Sequence, residues 1–219
     1  MPYLLDATQT INSGIAMADS PGGLRKIKCA NCAAVVWRRA PMPSFQNWID
    51  SLEEERLPRT RFVAPSNMVC DALLNVACSF GLPDRPERDM LVGDAAALAA
   101  IFADVMNVPY LRLRMEVVKT NACRNFHIDA VTARLICTYR GKGTQFGVSR
   151  NGDNPDDVST VPTGSPIILR GTAWPESPVT GLVHRSPPIE GTDVARLVLV
   201  LDPIADIEGV DETPRHSIN

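Results

Sequence analysis

With 219 residues, 45% of them hydrophobic and 21% charged, the chain is long enough to enclose one full core and is read as a single domain over 1–219. A formal net charge of −3, with Lys and Arg scattered, excludes a surface built chiefly for phosphate backbones, so nucleic acid is not an expected partner. Residues 1–20 carry Asp6 and Asp19 and no basic segment ahead of a long apolar run. Neither a secretory signal nor a membrane span is therefore expected, and the cytoplasm is the expected compartment.

Residues 1–34 read as an irregular arm, rich in small and turn residues around Ser20-Pro21-Gly22-Gly23. Cys29 and Cys32 form a Cys-x-x-Cys, which suits a redox pair or half a zinc site; with no second pair, two small residues entering the next strand is the favoured reading. The six cysteines are expected as reduced thiols, with Cys70 and Cys78 in a helical core. After a short β-rich run over Ala33 to Trp37, residues 35–109 read as mainly helical. Ser44 to Leu57, Ser66 to Phe80 and Arg88 to Val105 each place apolar residues at three- and four-residue spacing.

At Tyr110 the period changes to two: Leu111, Leu113, Met115 and Val117 alternate with Arg112, Arg114, Glu116 and Val118. Short β-rich runs follow at 126–131, 133–139, 165–170, 182–185 and 195–202, separated by Gly/Pro loops, with a polar loop over Asn151 to Pro162 and a tail at 203–219. Helices followed by short strands predict an α+β protein, an antiparallel sandwich or barrel over 110–202 with helices packed outside.

The chain has three histidines, and only His127 and His184 fall in predicted strands; His216 lies in the tail. In Asn125-Phe126-His127-Ile128-Asp129 the strand period puts His127 and Asp129 on one face. With His184 they make a two-histidine, one-carboxylate triad, which leaves coordination positions open and suits non-haem Fe(II) better than a closed zinc site. On the last strand Arg196, Val198 and Val200 share a face; if that face is interior, the guanidinium needs an anionic partner, from a ligand or from Asp129 or Asp202.

The order His-x-Asp, a distal His about fifty to sixty residues later, then Arg on the following strand resembles the Fe(II)/2-oxoglutarate oxygenases. That resemblance implies a double-stranded β-helix, a cupin-like jelly roll, and a dioxygenase-like enzyme. Iron would be bound by His127, Asp129 and His184, and the far carboxylate of 2-oxoglutarate by Arg196 with help from Tyr139 or Thr138. Arg134 would meet an anionic substrate and Trp174 would line the mouth. The chain from about Val35 also resembles the bacterial domain of unknown function 1826, through Val36-Trp37-Arg38-Arg39-Ala40-Pro41, Asn121 to Asp129, Arg134 to Thr144 and His184-Arg185-Ser186-Pro187-Pro188. Arg124 stands where that family has proline. The association of some members with zinc limitation implies metal homeostasis or a metal-dependent reaction. Two alternatives therefore stand beside the oxygenase: a non-catalytic protein holding zinc or another divalent ion, closed by Cys123 or Cys137, and a cupin-type metalloenzyme without 2-oxoglutarate. The substrate, a small molecule or a protein, is not specified.

Overall fold

The computed structural model describes residues 14–121, 123–149, 153–176, 181–192 and 194–206. Among these, β1 (Ile15–Ala18), β2 (Ala34–Trp37), β3 (Thr60–Pro65), β4 (Tyr110–Val118), β5 (Ala133–Arg140), β8 (Pro166–Arg170) and β10 (Arg196–Ile204) form a seven-stranded sheet in the order β1-β2-β8-β5-β10-β4-β3. A smaller sheet has the order β7-β6-β9, from β6 (Gln145–Val148), β7 (Ser159–Thr160) and β9 (Leu182–Arg185). Every pairing is antiparallel except that of β1 with β2.

Alternation along each strand decides which layer a side chain enters. Leu111, Leu113 and Met115 of β4, Leu135 and Tyr139 of β5, and Leu197, Leu199 and Leu201 of β10 pack in a core closed by helices α1 (Pro43–Ser51), α2 (Val69–Ser79) and α3 (Pro86–Met106). Their neighbours Ile136, Val198 and Val200 point the other way, onto Phe146 and Leu182 of the small sheet. Helices on one face of the large sheet and a second sheet on the other make a double-stranded β-helix with helices packed outside, the α+β jelly roll expected. No helix among the described residues is long and apolar enough to cross a membrane.

The N-terminal part differs from expectation. From Ile15 the supposed arm is regular: β1 pairs with β2, and the 3-10 helix Pro21–Lys28 fully buries Leu24 and Ile27. The mainly helical part also contributes β3, whose mixed Thr-Arg-Phe-Val-Ala-Pro sequence carries a weak β signal and tolerates Pro65 because β3 is an edge strand. The jelly roll therefore draws three strands from before residue 110, and its last strand continues to Ile204. In α2 the buried stripe is Val69, Leu73 and Ala77, which leaves Cys70 and Cys78 exposed rather than in the core. Cys32 is buried with its thiol on the Ala34 carbonyl at 3.3 Å, while Cys29 is exposed.

Candidate metal centre

β9 carries His184 on the face it shares with Leu182, so the ring is buried between the sheets. The expected strand over 126–131 shrinks to a single antiparallel bridge: His127 and His184 exchange both backbone hydrogen bonds, each at 3.0 Å. Pairing stops there because the next residues are held by a different segment. Thr172 N–H donates to the Asp129 carbonyl at 2.9 Å, and Gly171 N–H to that of Thr132 at 3.0 Å. Gly171 is required at this crossing, since a Cβ would collide with the carbonyl oxygens of Val131 and Asp129.

The loop so anchored turns three ligand atoms together. Asp129 lies 3.5 Å from His127 Nε2 through Oδ1 and 3.0 Å from His184 Nε2 through Oδ2. All three residues offer ligand atoms within 4.8 Å of one another, and they are the one such group among the described residues. His127 Nδ1 sits 2.9 Å from the Asn125 carbonyl; donating there, it leaves the Nε2 lone pair free. Asp129 Oδ2 is buried and has no hydrogen-bond donor unless His184 Nε2 carries a proton. An orphaned carboxylate oxygen facing two imidazoles fits a divalent cation. Burial pushes the Asp129 carboxyl up, but the two imidazoles and the Arg134 guanidinium that face it outweigh burial and hold the group well below the usual carboxylate range. In turn the Asp129 carboxylate raises His127 above the ordinary imidazole value.

Arg134, expected at a substrate, is occupied otherwise. It donates to Asp129 Oδ1 through Nη1 and forks onto Asp202 at 2.6 and 2.9 Å. Its role in the fold is to fix the ligand carboxylate to the sheet, the kind of support that sets ligand orientation in metal sites.

Arg196 is 1% exposed and lines the same cavity of about 90 Å³ as His127, His184, Arg114, Glu116 and Cys123. Its three hydrogen bonds go to neutral acceptors: the Lys142 carbonyl at 2.6 Å, Ser186 Oγ at 3.2 Å and Thr138 Oγ1 at 3.3 Å. Neither Asp129 nor Asp202 pairs with it, and burial alone pulls the guanidinium down to about 10. A cation buried among neutral groups fits an incoming carboxylate.

Tyr139 or Thr138 is expected beside that carboxylate, and the strand period decides between them. Thr138 points into the cavity side; Tyr139 points into the helix-side core, where its hydroxyl donates to Asp94 Oδ2 at 2.7 Å. Asp94 is itself held by a bidentate pair with Arg39 at 2.6 and 2.7 Å. Tyr139 is thus a packing residue. Tyr139→Phe should cost about 1 kcal/mol of stability in denaturant unfolding and leave metal and 2-oxoglutarate affinity unchanged. Cys137 lies on the same wrong face, fully buried with its thiol pushed up to about 12 by desolvation, so it cannot close the metal site; Cys123 remains at the cavity wall. Trp174 also belongs to the helix-side core, with the Arg170 guanidinium 4.3 Å over its ring, rather than to the cavity lining. His216 lies outside the described residues. Sequence reasoning overlooked Ser186 and the Lys142 carbonyl as holders of Arg196. Ser186, two residues after His184, had a signal in that spacing, whereas a backbone carbonyl has none.

Comparison with known proteins bears on fold and family. The Arabidopsis thaliana dioxygenase for auxin oxidation 1, solved as a binary complex with 2-oxoglutarate, superposes with a TM-score of 0.54 at 11% identity, over 94% of this chain and 98% of that one. The rice dioxygenase for auxin oxidation gives a TM-score of 0.48 at 12% identity, over 89% and 84% of the two chains. At such identity the likeness is one of fold. No curated protein sequence matches significantly. The model of a family described as protein of unknown function, DUF1826, matches residues 18–202, and with most of its length so matched the chain belongs to that family.

Proposed function

We propose that the protein is an Fe(II)/2-oxoglutarate-dependent oxygenase acting in the cytoplasm, with His127, Asp129 and His184 as metal ligands and Arg196 as the anchor for the far carboxylate of the cosubstrate. The observation that carries this reading is Arg196, a buried guanidinium without a carboxylate partner in the cavity that His127 and His184 also line. A metal handled only for storage gives no reason to bury an unpaired cation beside it. Fe(II) with a keto-acid cosubstrate supplies oxygen activation when bound. The chain's own contribution is placement. The backbone bridge fixes the two imidazoles to each other, Arg134 fixes the carboxylate, and Thr138, Ser186 and the Lys142 carbonyl aim the guanidinium. Gly141 lets the turn before Lys142 lie against Arg196, where a Cβ would meet Arg196 Cγ at 2.9 Å.

Anaerobic titration of the Fe(II)-loaded protein with 2-oxoglutarate tests the reading. The expected result is the weak visible charge-transfer band of the chelate, absent from His184→Ala and shifted to far higher 2-oxoglutarate in Arg196→Ala. Stoichiometric metal binding without a band would overturn it in favour of metal handling or of cupin chemistry without 2-oxoglutarate.

A further inference from the structure

We propose that the substrate of this centre is an anion, and that its oxyanion group, a carboxylate or a phosphate, is held by Arg114 together with Arg112 and Arg61 on the β3–β4 end of the large sheet. The proposal rests on the reading of the metal centre as an active site. The apolar core between the two sheets reaches β4 only at Val118; beyond it this face is polar, half-buried at Arg114 and Arg112 and open to solvent at Arg61.

The residues on that polar stretch follow from register. Arg61 stands directly opposite Arg114 and Val63 opposite Arg112, while Phe62, Leu113 and Met115 turn to the helices. Three guanidiniums therefore share one small area of sheet. Like charges directly opposite one another in a ladder are unfavourable, and charge placed merely to protect a sheet edge belongs on the edge strand, yet Arg112 and Arg114 are on β4, one strand in. Arg61 and Arg112 make no ion pair or hydrogen bond among the described residues.

Arg114 is the member that reaches the metal cavity, and it is poorly satisfied. It lines the cavity with His127 and His184. Its carboxylate contacts are long, 3.5 Å to Glu116 and 3.4 Å to Asp202, and its Nε is buried without an acceptor. Asp202 is already taken by Arg134 at 2.6 and 2.9 Å. A guanidinium with a free N–H edge beside two unpaired ones is the donor set that receives a bidentate oxyanion. This anchor is distinct from Arg196. Arg196 is in register with Val118 and Val200 with Arg114, so the backbone positions that carry the two arginines are four residues apart along the β10–β4 ladder, about 13 Å at the usual rise, and their side chains enter the cavity from different ends. One position suits the cosubstrate carboxylate and the other the substrate anion.

The test uses the full chain and three probes of one shape, benzoate, phenyl phosphate and the neutral benzamide, titrated by ligand-observed NMR. 2-Oxoglutarate binding to the Mn(II)-loaded protein is measured in parallel by calorimetry. At least one anion should bind saturably and benzamide should not; which anion binds more tightly assigns the oxyanion. Arg114→Gln should weaken anion binding about tenfold or more and Arg61→Gln about two- to threefold with the difference vanishing at high salt; Arg61→Gln, outside the cavity, should leave 2-oxoglutarate affinity within about twofold. Arg114→Lys, which keeps the charge without the fork, should fall between wild type and Arg114→Gln and guards against a folding artefact. Anion binding that ignores Arg114, equal binding of benzamide, or no anion binding at all would overturn the proposal. If 2-oxoglutarate fails to bind wild type while Arg114-dependent anion binding persists, the cosubstrate reading falls and the anion site stands.

Discussion

Arg196→Met should leave the stability of the ligand-free protein nearly unchanged while removing its response to 2-oxoglutarate. Desolvation lowers the folded-state pKa of Arg196 to about 10, well below the ordinary guanidinium value, a cost of about 3 kcal/mol at neutral pH. The sign follows from linkage. A cation whose folded value is depressed destabilises the fold at every pH below that value, and the penalty shrinks only as pH rises above about 10 towards the ordinary guanidinium value. Methionine fills a similar volume without the charge but leaves the Lys142 carbonyl, Ser186 Oγ and Thr138 Oγ1 short of a donor, which at about 1 kcal/mol each returns about 3 kcal/mol. The two terms nearly cancel, so Tm should move by no more than about 2–4 °C, the equivalent of about 1 kcal/mol for a domain of this size. Wild type should gain several degrees on adding 2-oxoglutarate in the presence of Mn(II), and the variant none. A variant that is strongly destabilised without ligand would mean that Arg196 is a structural residue whose hydrogen bonds outweigh its desolvation.

Asp129→Asn should lower divalent-metal affinity by about 100-fold or more, read by calorimetry with Mn(II), because it removes the one anionic ligand while keeping shape. Arg134→Gln, which touches no metal, should cost about 10–100-fold by releasing the carboxylate it orients. In the metal-free protein Asp129→Asn should also lose about 2 kcal/mol. That is less than a buried pair broken outright, since Arg134 keeps its two contacts to Asp202. The charge term of this loss is fully present above the ordinary aspartate range and fades as pH falls below it, the behaviour of a carboxyl whose folded value is depressed. Metal bound as tightly by Asp129→Asn as by wild type would remove Asp129 from the ligand set.

Much of the centre was legible in the chain because its signals are local or periodic. A single His-x-Asp, a second strand histidine and an arginine on an alternating strand are enough to nominate His127, Asp129, His184 and Arg196. The same alternation correctly divides Arg196, Val198 and Val200 from Leu197, Leu199 and Leu201. It also contains the means to reject Tyr139, since Thr138 and Tyr139 are neighbours on one strand and cannot share a face.

What only the tertiary structure decided is what each of these groups meets. Asp202 could have paired with Arg196 or Arg134, and nothing in the order of residues chooses; the fork onto Arg134 is set by the β5–β10 register and leaves Arg196 without a counter-charge. The bridge that seats His127 against His184 joins residues 57 apart in the chain, and it replaces an expected strand because Gly171 to Ala173 compete for the same backbone. The stretch that gathers Arg61, Arg112 and Arg114 on one face exists only because the β3–β4 register sets Arg61 opposite Arg114. Side-chain type and period fix which residues can serve as ligands. Long-range register fixes which charges are neutralised, and the charges it leaves unpaired are where a ligand can bind.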